Sequence, residues 1–166
     1  METSRLGASP PPYLVAVDPA AWPRFAWATL ERGRVVGVGL GTSPSDVPAG
    51  PVGRCLWVME RPVDYVGFGV AHKDLARLRA TLSGLEDFAL VRGDTVEYVT
   101  PHQWKGNVPK PVHHRRALAV LGPGDLVVAG PDKAGYDHNV VDALVLGLTR
   151  AGRVGRGGTK VTLAPA

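Results

Sequence analysis

Two short apolar runs, each closed by a carboxylate, constrain this chain more than any other feature. Tyr13-Leu14-Val15-Ala16-Val17 leads into Asp18-Pro19, and the stretch from Arg54, Arg54-Cys55-Leu56-Trp57-Val58-Met59, leads into Glu60. Both have strand length and strand composition. An apolar run without polar alternation belongs to a strand covered on both faces, which places the first near the middle of a sheet. Arg24 to Leu30, the polar turn Glu31-Arg32-Gly33-Arg34 and Val35 to Leu40 follow with short links. Three strands joined this tightly read as an antiparallel meander.

The remainder alternates. Residues 41–53 are a Pro- and Gly-rich loop, and residues 61–70 are irregular. Leu75, Leu78, Leu82 and Leu85 share a helical face within 71–85, and Gly84 is read as that helix's end. Val96–Val99 reads as a strand, Val112–Leu121 as a helix, Leu126–Ala129 as a strand and His138–Arg150 as the last helix. Strands and helices in this order make an α/β layer fold with an antiparallel region continuing into parallel pairing.

A chain of 166 residues with 45% hydrophobic and 20% charged residues is one globular domain rather than a disordered polymer. The expected organisation is a disordered leader at 1–12, a folded domain at 13–152 and a flexible basic tail at 153–166. The single cysteine, Cys55, excludes an internal disulfide and a Cys-rich zinc site. No apolar run approaches the roughly 20 residues of a membrane helix. The N-terminal METSRLGASPPP lacks a signal-peptide core, so the expected location is the cytoplasm.

Charge is unevenly placed. Residues 1–100 carry ten Lys and Arg against eleven Asp and Glu, and residues 101–166 carry nine against four. The whole excess of the net +4 therefore lies in the last third, a distribution suited to a polyanionic partner.

Asp18 and Glu60 end strands, and Asp142 interrupts the apolar helix Val140-Val141-Asp142-Ala143-Leu144. A carboxylate in such a helix is costly unless it is paired or binds a cation, and no Lys or Arg stands three or four residues away. His138 and Asn139 lie one turn earlier on its face, with Asp137 at the helix start, where it also suits an N-cap. Carboxylates gathered at one point repel, and a divalent cation relieves that repulsion. Oxygen ligands without thiolates suit Mg²⁺ or Mn²⁺, and two such ions would form a phosphoryl-transfer site.

The stretches Leu14–Pro19, Leu56–Pro62 and Asp137–Leu144, with Val99-Thr100-Pro101-His102-Gln103-Trp104-Lys105-Gly106-Asn107 and Pro109-Lys110 between the last two, resemble the RuvC-type Holliday junction resolvases. These belong to the ribonuclease H-like superfamily, and the likeness is greatest to its compact phage and prophage members. The resemblance runs from about Tyr13 to Gly152. It implies a mixed five-stranded sheet flanked by helices, and a homodimeric Mg²⁺-dependent endonuclease that cuts branched DNA. It carries Asp18, Glu60 and Asp142 over as catalytic metal ligands around two Mg²⁺, with Mn²⁺ able to substitute. The family's fourth ligand falls at Asn139, leaving His138 or Asp137 to serve. The family's helix between the third and fourth strands has no room in residues 41–53.

The same resemblance points to Lys105 and Lys110 as phosphate contacts. His114, Arg115 and Arg116 add charge, and Trp104 is read either as a stacking platform for an unpaired base or as a core anchor. Tyr65 and Phe68, in a glycine-bearing loop, are read either as a wedge at the branch point or as a buried pair. Two further readings stay open: a nuclease acting on RNA–DNA hybrids or flaps, and a non-catalytic nucleic-acid-binding module.

Overall fold

The computed structural model describes residues 11–19, 23–62, 72–126 and 138–156. Five strands form one sheet: β1 (Tyr13–Asp18), β2 (Phe25–Glu31), β3 (Arg34–Gly41), β4 (Cys55–Glu60) and β5 (Thr95–Val99). Helices α1 (His72–Val91), α2 (Pro101–Trp104), α3 (Lys110–Leu118) and α4 (His138–Arg150) complete the fold. The strand order is β3-β2-β1-β4-β5. β1, β2 and β3 pair antiparallel, while β4 pairs parallel with β1 and with β5. The expected meander and mixed sheet are both present. Arg32 and Gly33 close the β2–β3 hairpin with φ of 49° and 79°, the two positive values of a type I′ turn.

Alternation along the strands sorts the core into two layers. Leu14, Ala16, Leu56 and Val58 face α4, whereas Val15, Val17, Trp57 and Met59 face Leu82, Leu85 and Ala89 of α1. The same parity turns Asp18 and Glu60 toward the α4 side. α4 is buried from Asn139 to Leu148 and packs chiefly on β1 and β2. Its approach is close at Gly147, where a Cβ would lie 2.7 Å from Leu30 Cδ1 and 3.3 Å from Ala16 Cβ.

Several boundaries differ from the sequence reading. α1 runs through Gly84, whose Cα faces open space, and continues to Val91. It ends instead at Gly93, with φ of 76°, where Gly93 N–H reaches Leu90 O and Asp94 N–H reaches Ala89 O in a Schellman arrangement. The expected helix over 112–121 is shifted to Lys110–Leu118. Of the strand expected at Leu126–Ala129, only Leu126 is described, and its N–H donates to Val35 O at 2.8 Å. The β3–β4 link holds one 3₁₀ turn, Pro44–Asp46, as its length requires. Val47 from this link is buried against the α1-side core. Among the described residues no helix is long and apolar enough to cross a membrane.

Past α4, Arg153 and Val154 pack against the domain, while Arg156 is exposed. Val154 is 1% exposed. The Arg153 guanidinium grips Asp125 with two bonds of 2.6 and 2.9 Å and donates to Val120 O and Gly33 O. Asp125 also accepts from the backbone N–H of Val35 and Gly122, each at 2.9 Å. Burial raises its pKa, but Arg153 and these two amides outweigh burial and bring it down to about 2. A depressed carboxylate pKa stabilises the fold above the unfolded value and is lost as pH falls through the folded one. Asp125→Asn is therefore expected to cost about 2 kcal/mol at neutral pH. It should also flatten the loss of stability between pH 3.8 and about 2. Urea unfolding across that range checks both, and an unchanged acid limb would refute this role for Asp125.

Candidate active site

Asp18 and Glu60 close adjacent parallel strands. The β1–β4 register ends at Val17↔Met59, so the two carboxyl residues come next, side by side at the sheet's C-terminal edge. Asp18 is 2% exposed and Asp142, entering from α4, is 1% exposed. Between β5 and α3 the short helix α2 starts at Pro101, and Gln103 Oε1 accepts the Thr100 N–H at 2.7 Å. This small capped helix delivers Trp104 and Lys105 to Glu60. The indole N–H donates to Glu60 Oε2 at 2.9 Å, and Lys105 Nζ lies 3.1 Å from the same oxygen.

Lys105 pairs with Glu60 and lies within electrostatic reach of Asp142 and Asp18. Burial lowers its pKa, but Glu60, Asp142 and Asp18 together raise it above the usual lysine value. One ammonium thus feels carboxylates from β1, β4 and α4. α3 supplies the partners of Asp142. His114 Nε2 is 2.7 Å from Oδ1 and Lys110 Nζ is 2.5 Å from Oδ2. Burial raises the Asp142 pKa, yet the His114 hydrogen bond, Lys105 and Lys110 together hold it below the ordinary carboxylate value.

Behind these groups runs a ring stack. Trp104 and His113 lie 5.6 Å apart at 21°, and His113 and His114 lie 4.9 Å apart at 11°. His113 is fully buried, and neither of its ring nitrogens has a hydrogen-bond partner among the described residues. Burial, then the neighbouring His114, lowers its pKa to about 4. A buried polar group left unmet costs about 1–3 kcal/mol, so this ring is held at some expense.

The structure of Thermus thermophilus RuvC matches with a TM-score of 0.56 and 18% identity, over 85% of this chain and 94% of that one. The fold is RuvC-like. T. thermophilus RuvC in complex with a Holliday junction substrate matches with a TM-score of 0.51 and 14% identity, over 85% of this chain and 93% of that one. No protein-family model matches the chain, and no curated protein sequence does.

On this RuvC-like frame, Asp18, Glu60 and Asp142 come together at the end of the sheet. His138 is exposed in the first turn of α4, while Asn139 beside it is 7% exposed. Asp137, Tyr65 and Phe68 lie outside the described residues.

The residues read as a nucleic-acid face divide. Trp104 is 2% exposed, bonded to Glu60 and stacked on His113, so it anchors the core and has no free face for a base. His114 is buried against Asp142 and does not face solvent as a phosphate contact would. Lys105 and Lys110 neutralise the site's own carboxylates, although Lys110 keeps 43% of its side chain exposed. Arg115 and Arg116 are exposed on the outer face of α3. Sequence reasoning missed His113 and His114 as neighbours of Asp142. The available signal was the spacing of Lys110, His113 and His114, which shares one helical face.

A divalent cation suits this donor set. Asp18 and Asp142 are buried carboxylates, and the Lys105 ammonium paired with Glu60 also feels the charge of both. His113, His114 and Asp142 form a second candidate set, with one ligand atom from each lying within 4.8 Å of the others.

Proposed function

We propose that this chain is a metal-dependent endonuclease that hydrolyses phosphodiesters in branched DNA, in the manner of a Holliday junction resolvase. The observation that carries the reading is the placement of Asp18 and Glu60 side by side at the ends of adjacent strands, with buried Asp142 held by the same α2–α3 segment that pairs with Glu60. Three acids from separate elements, two of them buried, form a site that demands positive charge. On this reading Asp18, Glu60 and Asp142 hold two Mg²⁺, with Asp137 or His138 as the fourth ligand. Bound Mg²⁺ would supply an activated water and neutralise the charge of the leaving oxygen. No protein nucleophile is needed.

The chain's own residues do the rest. Trp104 and Lys105 fix the orientation of the Glu60 carboxylate through Oε2. His114 and Lys110 do the same for Asp142, one on each oxygen. Lys110, half in solvent, stands where an incoming phosphate would meet it. Arg115 and Arg116 extend positive charge along α3. A homodimer would let two strands be cut symmetrically. The RuvC-like fold and the structural match to a RuvC–junction complex support the choice of substrate.

The test is cleavage of a labelled four-way junction beside linear duplex, flap and RNA–DNA hybrid, with Mg²⁺, Mn²⁺ or EDTA. Junction cutting that needs the metal and disappears in Asp18→Asn is the expected result. Metal-dependent cutting of hybrid or flap alone would keep the site and change the substrate. Junction binding without any cutting would overturn the enzymatic reading.

A further inference from the structure

His113 is a buried imidazole that the proposed catalytic centre leaves unused. It is 0% exposed, both ring nitrogens lack partners among the described residues, and its Nε2 points at Asp142 Oδ1 from 3.8 Å. That distance is too long for a hydrogen bond. His114 Nε2 reaches the same oxygen from 2.7 Å. Both imidazoles of α3 thus bring Nε2 within 4 Å of one carboxylate oxygen of α4. Metal ligands at about 2.0–2.1 Å from a tetrahedral ion stand about 3.3 Å apart. The separations of 3.8 and 2.7 Å lie on either side of that value.

We propose that His113, His114 and Asp142 form a binding site for one transition-metal dication of the Zn²⁺ or Co²⁺ class, distinct in its donors from the all-carboxylate set. Two imidazole nitrogens and one oxygen are a borderline-soft combination, which favours such ions over Mg²⁺. The surroundings fit a ligand shell. Trp104 stacks on His113 and fixes its plane, and Lys110 holds the far oxygen of Asp142. Asp142 is shared with the proposed catalytic centre, and the inference rests on that reading only for placing the ion beside the reacting phosphate.

Titration of the full chain with Co²⁺ alone, followed by visible ligand-field absorption, tests it. The expected result is one bound Co²⁺ that Zn²⁺ displaces and a large excess of Mg²⁺ does not. His114→Gln, and His113→Phe with its stacked ring retained, should each weaken Co²⁺ binding by about tenfold or more. His102→Gln should leave it unchanged. In the unaltered chain, paramagnetically shifted ring protons from two histidines provide a readout independent of any variant's folding. Absence of Co²⁺ binding, ready displacement by Mg²⁺, or shifted protons from fewer than two histidines would overturn the site. Co²⁺ binding in a chain that cuts no nucleic acid would uphold the site and refute the nuclease reading. Cutting abolished by Asp142→Asn in a chain that binds no Co²⁺ would do the reverse.

Discussion

Asp142→Asn is expected to lower metal-dependent cleavage by about a thousandfold, which is about 4 kcal/mol of transition-state stabilisation, while leaving the fold intact. The two effects separate because of what surrounds the side chain. Asn keeps the volume and an acceptor oxygen for His114 Nε2, which lies 2.7 Å away in the parent. Lys110, with 43% of its side chain exposed, turns to solvent rather than being stranded. Lys105 retains Glu60. The stability cost should therefore stay within about 2 kcal/mol, the order of one charge-assisted hydrogen bond. The lost charge, by contrast, is what a cation needs. Thermal unfolding and single-turnover cleavage of the same preparation check both parts. A variant as active as the parent would remove Asp142 from the site, and one that loses activity only because it unfolds would make its role structural.

The framework that presents these acids was legible because it follows from simple periods. A period of two along β1 and β4 puts Asp18 and Glu60 on one face, and their apolar runs mark both strands as central. Asp142 stood out because α4 is otherwise apolar there and offers it no Lys or Arg three or four residues away. The segment between β5 and α3 was less legible. α2 and α3 are short and rich in Lys, Arg and His, so no amphipathic stripe declares which side faces inward. Sequence pattern left Trp104 between a stacking platform and a core anchor and gave His114 to nucleic acid, whereas packing buries both against carboxylates. Lys105 and Lys110 look like phosphate ligands in any sequence. Only the fold shows that their first partners are Glu60 and Asp142. Gly84 misled for a related reason. An exposed glycine costs a helix interior only about 1 kcal/mol, and the Leu82, Leu85 and Ala89 contacts carry α1 past it.

The opposite face of the strand that carries Glu60 supplies the largest expected loss of stability. Trp57 is fully buried, three residues before Glu60, and faces α1. Its ring meets Phe88 edge-on at 5.9 Å and 72°, and its N–H donates to Asp94 Oδ2 at 3.1 Å. Asp94 also takes Arg92 at 2.8 Å and the Cys55 N–H at 3.2 Å. Burial raises its pKa, but these donors, Arg92 foremost, bring it below the ordinary value. Trp57→Ala leaves a cavity in the centre of the sheet and should cost about 3–5 kcal/mol, a large share of the 5–15 kcal/mol of a typical domain. Trp57→Phe keeps most of the apolar volume and removes the N–H. Asp94 still has two donors, so about 1–2 kcal/mol is expected. Urea unfolding with an unchanged slope measures both. Equal losses in the two variants would mean that the hydrogen bond, not the volume, governs this layer. Because Trp57 and Glu60 point to opposite faces, Trp57→Phe should leave the arrangement of Glu60, Trp104 and Lys105 undisturbed. Its residual stability should suffice for the activity proposed for the other side of the strand.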